Sequence, residues 1–167
     1  MSIRVRLAEA EDFDAIESIE NRADVLLIDY LKAATWWPAT PAAERTTVPG
    51  FTLVATDDTT DRLIGFALVL QDANIAHLEQ LSVLPEFTRR GYGRQLVLGA
   101  AEESRRRGHA QLTLRTFADV PWNAPFYAAC GFVITEPQTE FHRALLAAEE
   151  KLWLHAYGRR VQMTVKL

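Results

Sequence analysis

The segment from Ala76 to Val133 constrains this chain more than any other. A strand-like run, His-Leu-Glu-Gln-Leu-Ser-Val-Leu-Pro at 77–85, leads toward a short basic loop, Arg-Arg-Gly-Tyr-Gly-Arg at 89–94, and then into a helix-like stretch. Gly91 and Gly93 lack a Cβ, so the backbone N–H groups of Arg89, Arg90, Gly91, Tyr92, Gly93 and Arg94 can turn toward a closely approaching ligand. The helix N-terminus behind them adds free N–H groups and the positive end of its dipole, and the three arginines add charge-assisted contacts. The spacing therefore predicts a ligand that carries phosphates. Leu96 stands where a dinucleotide fingerprint needs its third glycine, and no Gly-Lys-Ser/Thr follows the loop, so the two familiar nucleotide motifs are excluded.

A second block lies downstream: Trp-Asn-Ala-Pro-Phe-Tyr-Ala-Ala-Cys-Gly-Phe at 122–132. Asn123 suits a helix cap, Pro125 a first helical turn, and Gly131 the left-handed conformation that ends a helix. Together the blocks resemble the acyl-CoA signature of the GNAT superfamily of N-acyltransferases. In that signature Val-x-Pro is followed by Gln/Arg-x-x-Gly-x-Gly/Ala, and here Val83 and Pro85 precede Thr88-Arg89-Arg90-Gly91-Tyr92-Gly93. Thr88 departs from the usual Gln or Arg, which removes a side-chain contact and keeps the backbone cradle.

At 167 residues the chain has the size of one domain, and residues 1–167 are read as a single unit. The formal charge of −4 argues against a general nucleic-acid binder, and no apolar run approaches the length of a membrane span. Cys130 is the only cysteine, which excludes an internal disulfide and cysteine-based metal clusters. No metal is expected. These features, with no signal-like segment at the start, predict a cytoplasmic enzyme. Arg105, Arg106 and Arg107 read as the solvated last turn of a helix ending at Gly108, and Cys130 as a packing residue.

Strand-like and helix-like segments alternate along the chain. Strands are predicted at Ile3–Leu7, Phe51–Thr56, Leu63–Leu70, Ile75–Val83, Gln111–Phe117, Phe132–Thr135 and Arg160–Leu167. Helices are predicted from Glu11 to about Tyr30, then at Arg94–Arg107, Asn123–Cys130 and Phe141–His155, with a loop from Trp36 to Gly50. This order suits an α/β (α+β) fold, a mixed sheet with helices on both faces. The resemblance implies the GNAT fold: a mixed, mostly antiparallel central sheet of about six to seven strands, splayed between the fourth and the fifth.

Transfer of an acyl group from a thioester to an amine needs a neutral amine, a donor for the tetrahedral oxyanion and a proton for the departing thiolate. On the fourth strand His77 and Glu79 are two residues apart and share a face in regular geometry, unless a β-bulge intervenes. The resemblance favours Glu79 as the catalytic base, with His77 as the alternative. It also assigns the oxyanion donor to a backbone N–H among Leu81, Ser82 and Val83, the thiolate's proton to Tyr127, and a cofactor contact to Asn123. The acidic residues Glu17, Glu20, Asp24 and Asp29 suit a cationic amine or merely an exposed helix face, and Trp36 and Trp37 suit a substrate pocket or a pinned loop.

The resemblance thus implies an N-acetyltransferase that moves an acetyl group from acetyl-CoA to a primary amine by direct attack in a ternary complex. Its partners would be acetyl-CoA and an amine-bearing small molecule or protein, with a homodimer left open. A non-catalytic acyl-CoA sensor or interaction module of GNAT-like fold is the competing reading.

Overall fold

A computed structural model describes residues 1–167. Seven strands form one sheet: β1 (Ile3–Leu7), β2 (Gly50–Asp57), β3 (Leu63–Asp72), β4 (Ile75–Val83), β5 (Gln111–Phe117), β6 (Val133–Thr135) and β7 (Arg160–Lys166). Their spatial order is β1-β2-β3-β4-β5-β7-β6, and only the β4–β5 pair is parallel. The mixed, mostly antiparallel sheet agrees with the sequence expectation.

Alternation along the strands divides the core between two faces. Leu53, Ala55, Ala67, Val69 and Leu78 turn toward α3 (Tyr92–Arg106), whose Leu96, Val97 and Ala100 complete the larger cluster. Val54, Phe66 and Leu68 turn the other way, onto Ile16 and Ile19 of α1 (Phe13–Leu31). Leu96 and Ile16 are fully buried, and each such side chain contributes about 1.5–3 kcal/mol through transfer from water.

Most element ends differ from the sequence reading by one or two residues, and three differences bear on the architecture. α3 starts at Tyr92 rather than Arg94, because Gly91 is left-handed (φ 81°) and the helix begins directly after it. The loop after α1 contains a short helix, α2 (Ala42–Arg45), preceded by Pro41 and built from good helix formers. Beyond α4 (Ala124–Ala129), the last helix, α5 (Glu140–Lys151), stops short of His155, and a 3-10 turn at Leu154–Tyr157 follows left-handed Trp153.

Two irregularities in β4 shape the centre of the molecule. Opposite β3, Leu68 faces Gln80 and Val69 faces Leu78, which leaves Glu79 as the extra residue of a β-bulge. On its other side β4 pairs with β5 only over Ala76–Leu78 and Leu112–Leu114, and beyond that the strands part. The splay leaves residues 79–83 without a neighbouring strand on that side.

Candidate active site

A cleft of about 1070 Å³ opens where β4 and β5 separate. Glu79, Leu81, Ser82, Val83, Asn123 and Tyr127 all line it, as do Arg89, Gly91, Tyr92, Gly93 and Arg94 at one end. The structure therefore brings Glu79, Tyr127 and the expected cofactor-binding residues to one cleft, with Arg90 outside it and the alternative base His77 behind it.

The end near α3 is a cradle of donors. No backbone acceptor partners the six consecutive N–H groups from Arg89 to Arg94, and the first helical bond runs from Gln95 N–H to the Gly91 carbonyl, 3.1 Å. Arg89 (φ 60°) and Gly91 (φ 81°) are both left-handed, which curls the chain ahead of the helix. A Cβ on Gly91 would meet nothing within 4 Å, so the open space there is not filled by protein. Two of the arginine side chains also make contacts within the protein. Arg90 lies over the Phe87 ring at 5.5 Å and Arg94 donates to the Ala129 carbonyl at 2.8 Å, and all three arginines of the loop remain exposed.

Opposite the cradle, β4 turns backbone groups into the cleft. Leu84 N–H donates to the Ile64 carbonyl at 2.8 Å, and Val83 faces Gly65. In an antiparallel ladder such bonds alternate, so Ser82 bonds to β3 while the N–H groups of Leu81 and Val83 point away from it, into the splay.

Asn123 corrects the reading of a side-chain cap. Its backbone carbonyl accepts from Tyr127 N–H at 3.0 Å, but the side chain makes no cap bond. Instead Oδ1 accepts from the Thr116 hydroxyl at 2.8 Å, and Nδ2 is buried without a partner. An orphaned amide donor lining a cleft fits a carbonyl-bearing ligand arm. Tyr127 stands one turn further along α4, edge-on to Phe132 at 5.9 Å. Burial raises its pKa, with Cys130 adding to the rise and Arg160 opposing it, so the phenol stays protonated at neutral pH.

Glu79 combines access with a protein surround: its side chain is 44% exposed and lines the cleft. Desolvation raises its pKa first and Glu149 second, while Arg160 pulls the other way. Glu149 is held by Arg160 (2.7 Å) and Arg115 (3.0 Å). Burial opposes its ionisation, but hydrogen bonds from both arginines outweigh that and keep its pKa low. His77, by contrast, is 2% exposed and does not line the cleft. Its Nδ1 lies 2.8 Å from Thr113 Oγ1, and burial, then His142 and Arg115, lower its pKa to about 3.

The acidic face of α1 mostly holds the following loop. Glu17 accepts from Ala42 N–H (2.9 Å), Asp24 accepts from the Trp36 indole (3.2 Å), and Glu20 pairs with the buried Arg45. Glu20, Asp24, Asp29, Trp36 and Trp37 still line the cleft. Trp36 also packs 6.1 Å from Tyr157, whose hydroxyl donates to the Thr35 carbonyl at 2.9 Å, so this loop is pinned. Cys130 is half-buried against the core and outside the cleft. Arg105, Arg106 and Arg107 pair with Glu102 and Glu103 on the helix surface.

Sequence reasoning missed Thr116, which orients Asn123, and the Arg115–Glu149–Arg160 cluster beside Glu79. One signal was available: Thr113 and Arg115 alternate with Leu112 and Leu114, which puts a polar face on a central strand.

A splayed mixed sheet with an anion cradle at the head of α3 defines an α/β enzyme that handles a phosphate-bearing cosubstrate. Residues 12–132, more than half of the chain, match the acetyltransferase (GNAT) family, and the chain belongs to that family. The same fold occurs in the ribosomal-protein-S18-alanine N-acetyltransferase of Escherichia coli (21% identity, 99% of this chain and 94% of that one, TM-score 0.70). It also occurs in the PaiA N-acetyltransferase of Thermoplasma acidophilum in complex with coenzyme A (20% identity, 100% of both chains, TM-score 0.68). A third case is a Bacillus subtilis acetyltransferase in complex with CoA (20% identity, 99% of both chains, TM-score 0.66). No helix is long and apolar enough to cross a membrane.

Proposed function

We propose that this acetyltransferase moves an acetyl group from acetyl-CoA to a primary amine by direct attack in a ternary complex, in the cytoplasm. The observation that carries the reading is the meeting at one cleft of Arg89, Gly91, Tyr92, Gly93 and Arg94, whose backbone N–H groups have no backbone acceptor, with the orphaned Asn123 amide, Glu79 and Tyr127. Bound acetyl-CoA supplies the acetyl thioester. Residues 89–94 hold its pyrophosphate by backbone donation, with the helix dipole and Arg89 adding attraction. Asn123 Nδ2 donates to its pantetheine arm.

Glu79 takes a proton from the acceptor ammonium, directly or through one water, which frees the amine lone pair. Its raised pKa brings it closer to neutrality, where a base is effective without being permanently protonated. The N–H of Leu81 or Val83 donates to the oxygen on which charge develops. Tyr127 gives its proton to the departing sulfur. Glu20, Asp24, Asp29 and Glu79 line the cleft, where Arg115 and Arg160 are paired with Glu149, and this supports a cationic amine.

The test is amine-dependent thiol release from acetyl-CoA across primary amines, including aromatic and alkyl amines and lysyl peptides. Turnover with at least one class is expected. Tight acetyl-CoA binding with no release above hydrolysis on any amine would sink the catalytic reading.

A further inference from the structure

Behind Glu79, outside the cleft, His77, Thr113 and His142 are buried to 2%, 1% and 2% exposure and joined in one hydrogen-bonded line. Thr139 Oγ1 lies 2.8 Å from His142 Nδ1, His142 Nε2 lies 3.0 Å from Thr113 Oγ1, and Thr113 Oγ1 lies 2.8 Å from His77 Nδ1. The line ends at His77 Nε2, 3.6 Å from Glu79 Oε2. Phe141 closes the side of the His77 ring at 5.5 Å. It joins three separate elements, β4, β5 and α5, and the acetyl-transfer steps above do not use it.

Hydrogen-bond accounting gives the line a direction. The Thr139 hydroxyl accepts from the His142 backbone N–H (3.1 Å) as the cap of α5, and its single proton is then free to be donated to His142 Nδ1. His142 therefore carries its proton on Nε2 and donates to Thr113. Thr113 has one proton to give, and His77 Nδ1 at 2.8 Å is nearer than the Ala76 carbonyl at 3.4 Å. His77 is left with its proton on Nε2, toward Glu79. The opposite assignment would aim an imidazole lone pair at an ionised carboxylate, so both ends of the line select the same direction.

We propose that Thr113 and His142 are positioning residues for Glu79: acting through His77, they fix the imidazole proton on Nε2, so that a neutral N–H faces the carboxylate. Nε2 lies 3.6 Å from Oε2, beyond hydrogen-bond length, and its N–H orients the carboxylate through its dipole. This inference rests on the reading of Glu79 as the base. The charged or titratable groups facing the pair are His142 and Glu149 from α5, Arg115 from β5 and Arg160 from β7. Burial lowers the pKa of both histidines, with Arg115 adding to each effect, so the line works through tautomers and not through a stable imidazolium.

Nitrogen-15 NMR of histidine-labelled wild-type protein near pH 7.5 reads the tautomers directly and needs no variant. Protonated Nε2 on both His77 and His142 is expected; protonated Nδ1 on His77 would overturn the proposal. Thr113→Val keeps the shape of the side chain and removes the hydroxyl. It should move the acid limb of the kcat/KM profile to higher pH by about half a unit or more, since the ionised form of Glu79 loses the N–H dipole that faces it. Thr113→Ser should restore the limb, and in a Glu79→Gln background Thr113→Val should cause no shift. An unmoved limb in Thr113→Val, or a shift that persists without Glu79, would overturn the positioning role. A profile that Glu79→Gln leaves unchanged would overturn the base reading, and with it the catalytic part of this inference, while the tautomer result would still stand as measured.

Discussion

Oε2 of Glu79 stands 3.6 Å from Nε2 of His77, yet one side chain is 44% exposed in the cleft and the other 2% exposed behind it. In a regular strand the two would share a face and compete for one role. The bulge at Glu79 turns the strand just where β5 leaves it, so the carboxylate reaches the cleft and the imidazole stays sealed. A buried imidazole with a pKa of about 3 is a poor acceptor of a substrate proton, whereas burial moves a carboxylate toward neutrality. Position and acidity thus favour the same residue.

The cradle is tested at Gly91. A Cβ there meets no protein atom within 4 Å, but a β-branched residue must adopt φ 81°, at a cost of roughly 1–2 kcal/mol for an L residue. Gly91→Val should therefore fold, with its melting temperature lowered by about 2–8 °C. Acetyl-CoA affinity measured by calorimetry should drop tenfold or more, because the backbone can no longer approach the pyrophosphate. A folded variant that binds normally would remove the cradle from the account.

Asn123 offers an isosteric test of the orphaned amide. Asn123→Asp keeps the oxygen that accepts from Thr116 and loses the Nδ2 donor. One neutral hydrogen bond contributes about 1 kcal/mol and the added charge opposes the ligand further, so KM for acetyl-CoA should rise roughly fivefold or more. A KM within error of wild type would show that this donor does not meet the cosubstrate.

Tyr127→Phe should lower kcat by roughly ten- to thousandfold and leave acetyl-CoA binding nearly unchanged, since only the proton is removed. Because burial raises the pKa of this phenol, no loss of activity from its ionisation is expected below about pH 10. Parallel losses of binding and thermal stability would identify Tyr127 as a packing residue beside Phe132.

Much of this was legible in the chain because it is local. Glycine placement announced the cradle, strand alternation announced β4 within its observed bounds, and the Asn-Ala-Pro-Phe-Tyr block announced α4. What escaped depends on contacts between distant segments. Nothing local reveals that Arg94 also donates to the Ala129 carbonyl, 35 residues away in sequence. Asn123 looked like a cap until β5 presented Thr116. The acids of α1 looked solvated or substrate-facing, and nothing local reveals that the loop at 36–45 folds back to use three of them.

Glu149 gives a sign test of the electrostatics around Glu79. Its charge raises the Glu79 pKa, and its removal also frees Arg160, which lowers it; both effects act in one direction. Glu149→Gln should shift the acid limb of kcat/KM to lower pH and reduce thermal stability, because two arginines lose their carboxylate. The depressed Glu149 pKa itself implies stability that is present above the ordinary carboxylate range and lost as pH falls through the folded value. A limb that moves to higher pH would contradict the assigned charges.

The choice between Glu79 and His77 is settled by comparing two variants on one identified amine over the same pH range. An alkyl amine is mostly protonated at neutral pH, so the rate should climb with pH until both the base and the amine are deprotonated. Glu79→Gln keeps the side chain's shape and abolishes its basicity, and should depress the rate most at low pH, where free amine is scarcest. His77→Gln should have a smaller effect, felt through the orientation of Glu79 and through lost packing against Phe141 and Thr113. If the Glu79 variant follows the wild-type profile and the His77 variant does not, the base is His77. If neither profile changes, the amine loses its proton to water before it attacks, and Glu79 serves only to attract the cation.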